Sequence, residues 1–223
     1  IREVLRAKLS IKEYPELFQA LSINVSDFFR DLTAFSAFSD DILPNLVHYK
    51  EEIKRKTIRI WSAGCSFGEE PYTIAIILKE FFGEKTDFNI SIIATDVDKV
   101  ALERAKLGIY PKERVKNVPE ELLKKYFYTD GEWYEAKEEI KCMVKFKSHN
   151  LIHDKPHNYF DVIFCRNVVI YFSRELQEKL FEHFYNALQK YGFLILGKTE
   201  GISGTARGKF AVVNMAERIY RKI

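Results

Sequence analysis

The segment that most limits what this chain can become is IRIWSAGCSFGEEPYTIAIIL, residues 58–78. An alternating, β-branched run over 57–63 enters a turn of small residues and leaves it as an apolar helix over 70–82. A strand–turn–helix unit of this kind belongs to a sheet whose successive strands are parallel and joined by crossover helices. Strand-like and helix-like periods then alternate along the chain. Residues 88–95 read as a second strand, 99–107 as its helix, 161–165 as a buried strand, 174–188 as an amphipathic helix and 192–196 as a further strand. The tail KFAVVNMAERIYRKI turns at Asn214 and reads as an antiparallel hairpin that extends one sheet edge. The expected fold class is α/β, a mostly parallel sheet covered on both faces.

Outside this frame, the first fifty residues read as helix and turn, over 1–9, 15–21 and 33–53, the last broken only at Pro44. Residues 108–127 read as a loop and a short helix. The stretch TDGEWYEAKEEIKCMVKFKSHN reads as two or three antiparallel strands, with alternation plainest over 141–147. The expected organisation is a helical segment and linker over 1–50, then a domain over 51–223 with a β-rich subdomain inserted at about 127–147. The chain opens at Ile1 rather than at a methionine, so it is expected to be part of a longer protein.

Bulk properties exclude several classes. A net charge of +3 over 223 residues gives no ground for a nucleic-acid or membrane-surface partner. The three cysteines, Cys65, Cys142 and Cys165, form no C-x-x-C pair, so neither a disulfide framework nor a metal site is expected, and a reducing cytoplasm fits best. No signal peptide opens the sequence and no apolar run is long enough to span a bilayer. A monomer is expected.

The glycine turn admits two readings. Gly64, Ser66 and Gly68 spell the G-x-S-x-G of a hydrolase nucleophile elbow, with Asp161 and His183 following in the order a triad needs. Against this, the motif follows the first strand, no oxyanion-loop segment precedes it, and His183 lies within an amphipathic helix. A cofactor-binding turn fits better: ligands of doubly wound sheets lie beyond the carboxyl ends of the strands, where a glycine such as Gly64 lets the ligand approach the backbone. Asp96, ending the second strand in ATDVD, suits ribose hydroxyls, while Asp98 suits the cap of the next helix. Glu69 and Glu70 are poor neighbours for phosphate. They favour a phosphate-free cation such as S-adenosylmethionine, whose charge or donors either carboxylate can receive.

Taken in order, SINVSDFFRD, WSAGCSFGEEPYTIAI, IIATDVD, SHNL and FDVIFCRNVVIYF resemble the CheR-type chemoreceptor methyltransferases, which esterify receptor glutamates with S-adenosylmethionine and release S-adenosylhomocysteine. The resemblance runs from about residue 22 to the C-terminus. It implies a Rossmann-like class I methyltransferase sheet, a helical N-terminal domain of which only part is present, and a small antiparallel β-subdomain. It also implies cofactor contacts at Asn24, Ser26, Arg30, Glu70, Asp96, Asn150, Leu151, Arg166 and Asn167. Arg30 and Tyr171 match the pair that the family places beside the transferred methyl. The implied partners are cytoplasmic receptor helices, which the basic residues Arg2, Arg6, Lys8 and Lys12 and the run Lys50, Lys54, Arg55 and Lys56 can face, although a solvated surface is the default for such runs. The family carries a small polar residue where Phe67 stands. Two alternatives are a cofactor-binding scaffold without transferase activity and a methyltransferase on RNA or a small molecule. CRNVVIYF stands where the N-P-P-Y-like segment of the latter class would sit.

Overall fold

The computed structural model describes residues 26–83, 85–154 and 159–223. The helices expected over 1–9 and 15–21, Asn24, and the basic residues at 2, 6, 8 and 12 lie outside the described residues. Strands β1 (Thr57–Ala63), β2 (Asn89–Asp96), β6 (Val144–Ser148), β7 (Phe160–Cys165), β8 (Leu188–Leu196), β9 (Phe210–Asn214) and β10 (Ile219–Lys222) build one sheet in the order β6-β2-β1-β7-β8-β10-β9. The first five are parallel, and the terminal hairpin adds β10 antiparallel to both β8 and β9. The hairpin thus forms as the alternation around Asn214 predicts. From β1 the chain works outward through β2 to β6, then returns to place β7 on the other side of β1. That reversal puts the topological switch point at the carboxyl ends of β1 and β7, the place where doubly wound sheets hold ligands.

Helices α1 (Leu32–Ala37), α2 (Leu43–Glu52), α3 (Glu69–Phe82), α4 (Lys99–Leu107), α5 (Glu120–Tyr126), α6 (Glu138–Lys141) and α7 (Arg174–Ala187) surround the sheet. Residues of β1 alternate between two cores. Ile58 and Ile60 face one shared with α1, α2 and α3, while Trp61 and Ala63 face one shared with α7. Helix α3 is buried almost all round, from Pro71 through Leu78, which is why its sequence carries no polar stripe. Between α1 and α2 a π turn, Phe38–Ile42, replaces the break expected at Pro44. Pro44 has no N–H and its ring would crowd the carbonyl four residues back, so a widened turn ahead of it keeps the helix continuous.

Two expectations are corrected here. The alternating stretch 141–147 was expected to be antiparallel, yet Val144–Ser148 pairs in parallel with β2 as an edge of the main sheet. Alternation reports one buried face and not the strand's partner; Val144 is buried, while Lys145 and Lys147 point out and blunt the edge. The separate antiparallel sheet consists of β3 (Ile109–Pro111), β5 (Trp133–Ala136) and β4 (Phe127–Thr129), so it begins well before residue 127. The second correction concerns Lys50, read as part of an exposed basic run. Its Nζ lies 2.6 Å from Asp161 Oδ1, with the two side chains 4% and 3% exposed. No described helix is long and apolar enough to cross a membrane.

Candidate active site

The turn after β1 is held by backbone bonds to the end of β2: Gly64 N and Cys65 N both donate to Thr95 O, at 2.8 and 2.9 Å. Gly64 has φ +79°, and a Cβ there would lie 2.5 Å from Val168 Cγ2. Glycine is therefore required both by the left-handed backbone and by the close approach of the loop after β7. Gly68, at φ +93°, starts α3. Between them Ser66 (φ 50°) donates its backbone N–H to Asp96 Oδ2 at 2.8 Å, while Asp96 Oδ1 accepts from Asp98 N at 2.9 Å. Asp98 caps α4 by accepting from Val100 N and Ala101 N, so the two aspartates of ATDVD divide as expected. Burial raises the Asp96 carboxyl above its usual range, against the lowering effect of the Asp98 and Ser66 amides.

The adjacent carboxylates of GEEPY part company. Glu70 Oε1 accepts from Ser62 Oγ at 2.7 Å, and its Oε2 lies 3.7 Å from Arg166 Nη1. Burial raises its carboxyl, with Arg166 and Ser62 pulling the other way. Glu69 is fully buried and faces Arg114, whose Nη1 is 3.8 Å from Glu69 Oε1 and also donates to Ser26 O. Burial pushes the Glu69 carboxyl up to about 7, although Arg114 draws it down. Phe67 lies between two guanidinium groups, those of Arg104 and Arg114, each 5.7 Å from its ring centroid. That contact accounts for a large aromatic in place of the small polar residue expected.

Arg166, at the end of β7, joins this turn to the chain before α1. Its Nη2 donates to Arg30 O at 2.9 Å and to Asp31 Oδ2 at 2.6 Å, and its guanidinium lies 5.0 Å over the Phe35 ring. Asp31 is thus paired with Arg166, 135 positions on. Phe29 and Asp31, on either side of Arg30, both have positive φ, as does Asn167 beside Arg166. Four non-glycine residues, Phe29, Asp31, Ser66 and Asn167, thus hold left-handed backbone in these loops. Each costs on the order of 1–3 kcal/mol, and such strain persists where the surroundings enforce it, as at functional sites.

Asn150 Oδ1 accepts from Ile152 N and His153 N in a local turn, and Leu151 packs against the α7 core. Tyr171 lies in the 3₁₀ turn Val169–Tyr171 and is 61% exposed. Gly64, Glu70 and Asp96 therefore share one turn with its supporting strands, Arg166 joins that turn to the Arg30 backbone, and Asn167, next to Arg166, bonds through its backbone to Glu200. Ser26 is linked to the same turn through Glu69, whose carboxyl its hydroxyl helps to draw down, and through Arg114, which bonds its carbonyl. Tyr171 is exposed in the loop after β7, and Asn24 falls outside the described residues. Of the two carboxylates the sequence offers for the cofactor, Glu69 is turned away into the fold toward Arg114, and Arg114 and Glu200 are members of this site that the sequence reading does not identify. Glu200 carried the one usable signal, an acid closely following the buried strand that ends at Leu196.

The hydrolase reading fails on position. Asp161 lies at the amino end of β7, bound to Lys50 and Arg59 N, whereas Ser66 follows the carboxyl end of β1. His183 Nδ1 is 3.3 Å from Leu151 O. In adjacent parallel strands those positions lie at opposite ends of the sheet, so chain order alone cannot assemble a triad. Among the described residues no group of three or more metal-ligating side chains converges. The residues suit S-adenosylmethionine: two half-buried carboxylates, Glu70 and Asp96, for cationic or hydroxyl groups, an Arg166 Nε–H that is buried without a hydrogen-bond partner, and a glycine where a side chain would close the turn.

The chain matches the family described as CheR methyltransferase, SAM binding domain, over residues 24–219. It is 42% identical over 193 residues to a chemotaxis protein methyltransferase of Borreliella burgdorferi, covering 85% of this chain and 68% of that one. It is 36% identical over 204 residues to chemotaxis protein methyltransferase 2 of Vibrio cholerae (89% and 69% covered) and 33% identical over 199 residues to a chemotaxis protein methyltransferase of Listeria innocua (89% and 73%). With its strand-order switch point beside the glycine turn and its carboxylates, the chain belongs to the CheR methyltransferase family and is an S-adenosylmethionine-dependent methyltransferase.

Proposed function

We propose that this protein transfers a methyl group to glutamate side-chain carboxylates on the cytoplasmic helices of chemotaxis receptors, acting in the cytoplasm as a monomer. The naming of its relatives supports the receptor as substrate. The observation that supports the chemistry is the charge arrangement at the glycine turn: Arg166 faces Glu70 while holding the Arg30 carbonyl and the Asp31 carboxylate, and the Arg30 charge also acts on Glu70. Glu70, Asp96, Asn150, Leu151, Arg166 and Asn167 would hold the cofactor, with Gly64 leaving it room and Asn24 and Ser26 completing the site from the N-terminal side.

S-adenosylmethionine supplies an electrophilic methyl on a sulfonium. The substrate glutamate is already ionised at neutral pH, its reference pKa being about 4.3. With the cofactor bound, a glutamate oxygen would take the methyl as the carbon–sulfur bond breaks, the bonding pair staying on sulfur to give S-adenosylhomocysteine. No proton moves, so no general base is required, which agrees with a site whose carboxylates are occupied by Ser62, Ser66 and Asp98. The rate then comes from proximity and alignment, for which roughly 7–11 kcal/mol is available. Arg30 and Tyr171 orient the carboxylate. Arg30 must contact the oxygen that does not attack, since a cation on the attacking oxygen would stabilise the ground state.

The test is to incubate the protein with methyl-tritiated S-adenosylmethionine and a receptor cytoplasmic fragment, then release the label with mild base. Volatile tritiated methanol is expected from a carboxyl methyl ester. Label that resists base would assign a different substrate atom, and cofactor binding without label would leave a binding domain.

A further inference from the structure

Glu200 lies in the turn after β8 and is 4% exposed, yet its carboxylate meets no cationic side chain in the bonds described. Four backbone amides take that place. Oε2 accepts from Asn167 N at 2.9 Å and Gly197 N at 2.7 Å; Oε1 accepts from Val169 N at 2.7 Å and Ile170 N at 3.3 Å. Three of the four donors belong to the loop after β7, which carries Arg166, Asn167 and Tyr171. A Cβ on Gly197 would sit 2.7 Å from Glu200 Oε2 and 2.9 Å from Asn167 N, so that glycine is what admits the carboxylate. On its other side the same loop presses Val168 against Gly64. The loop is thus held between the turn after β1 and the turn after β8.

We propose that Glu200 is a positioning residue: its carboxylate organises the backbone of the 167–170 loop, holding Asn167 in its left-handed conformation (φ 59°) and setting where Arg166 and Tyr171 stand. The reason lies in acceptor count. A carboxylate offers acceptor sites on both oxygens, and bonds to an ionised acceptor are shorter and stronger than neutral ones. Glutamine has the same shape but would turn an NH₂ toward two N–H groups, leaving two amides, one of them buried, without that acceptor. The inference rests on the reading of this loop as part of the methyl-transfer site.

The experiment compares Glu200→Gln and Glu200→Asp with the native protein and with Lys50→Met, which removes an ion pair at the opposite end of β7. Hydrogen exchange is followed without cofactor, S-adenosylhomocysteine binding by calorimetry, and kcat and KM with a receptor fragment. For Glu200→Gln, exchange should accelerate across 167–170 but not in β1 or β2. The dissociation constant for S-adenosylhomocysteine should rise roughly tenfold or more, the effect of losing a hydrogen bond to a charged group. The fall in kcat should approach about a hundredfold, the cost of a displacement of about 1 Å. Glu200→Asp keeps the charge and should recover part of each effect; it also stands in if the glutamine variant does not fold. Lys50→Met should lose stability with near-native kcat below its unfolding range. Native exchange over 167–170 and native affinity in Glu200→Gln would overturn the proposal, as would exchange that accelerates uniformly through the sheet. If the native protein labels no receptor fragment, the proposed substrate fails while exchange and affinity still decide the role of Glu200.

Discussion

Lys50 offers a test of the fold because its place in the sequence and its place in the structure predict opposite results. It stands near the basic run Lys54, Arg55 and Lys56, but its Nζ is 2.6 Å from Asp161 Oδ1 and both side chains are buried. Asp161 Oδ2 also accepts from Arg59 N at 2.9 Å. Lys50→Met keeps most of the stem and removes the charge, leaving Asp161 with a single backbone donor. Removing one partner of a buried pair costs about 3–5 kcal/mol, against roughly 0–1 kcal/mol for an exposed pair. With total stability of about 5–15 kcal/mol, the loss should be plain in urea unfolding as a lower midpoint with an unchanged slope. For a chain of this length the melting temperature should fall by roughly 10 °C. The double variant Lys50→Met with Asp161→Asn removes both charges and keeps an acceptor for Arg59 N, so it should be more stable than Lys50→Met alone. Burial already raises the Asp161 carboxyl, with Lys50 and Arg59 pulling it down, and losing Lys50 raises it further. The deficit should therefore narrow toward acid pH, where Asp161 takes up a proton and no uncompensated anion remains. A loss below about 1 kcal/mol, or a double variant no better than the single, would refute the buried pair.

Three further outcomes are expected. Burial raises Glu69 from its usual 4.5 to about 7 in the folded state, so the group favours folding below pH 4.5 and that contribution is lost as pH rises through about 7. The difference in unfolding free energy between the native protein and Glu69→Gln should change by up to about 3 kcal/mol across that window, measured by urea titration, and a flat difference would place Glu69 in water. Gly64→Ala should lose about 2–5 kcal/mol from left-handed strain and overlap with Val168, with weaker S-adenosylhomocysteine binding by calorimetry; native values in both would remove the close approach. Arg30→Ala should lower turnover of a receptor fragment far more than it lowers receptor binding, with Tyr171→Phe showing a smaller loss because the ring remains. Full activity in Arg30→Ala would take that residue out of the mechanism.

Much of the frame was legible because local physics and tertiary context agree. The β1 alternation, the glycine turn and the apolar α3 each specify one local conformation, and together they give a βα unit. Asp98 announces its cap by standing just before α4, and the final hairpin announces itself by alternation on both sides of a turn at Asn214. What misled was reading spatial partners from sequence neighbours at two places: Lys50 looked solvated among lysines, and residues 141–147 looked like one arm of a hairpin. The triad order of Asp161 and His183 was set aside on sequence grounds, and their positions agree.

The sequence by itself determined the order and type of most elements and the residues of the glycine turn, since strand and helix periods and a positive-φ requirement are local properties of the chain. Tertiary structure alone decided which charges are buried and what they hold. Lys50 meets Asp161 across 111 positions, Arg166 reaches back 136 residues to Arg30, and Glu200 reaches back over thirty to the loop beyond β7. Those pairings follow from strand order, which brings the ends of β1, β7 and β8 together, and from the energetic demand that a buried charge find a partner wherever the fold supplies one.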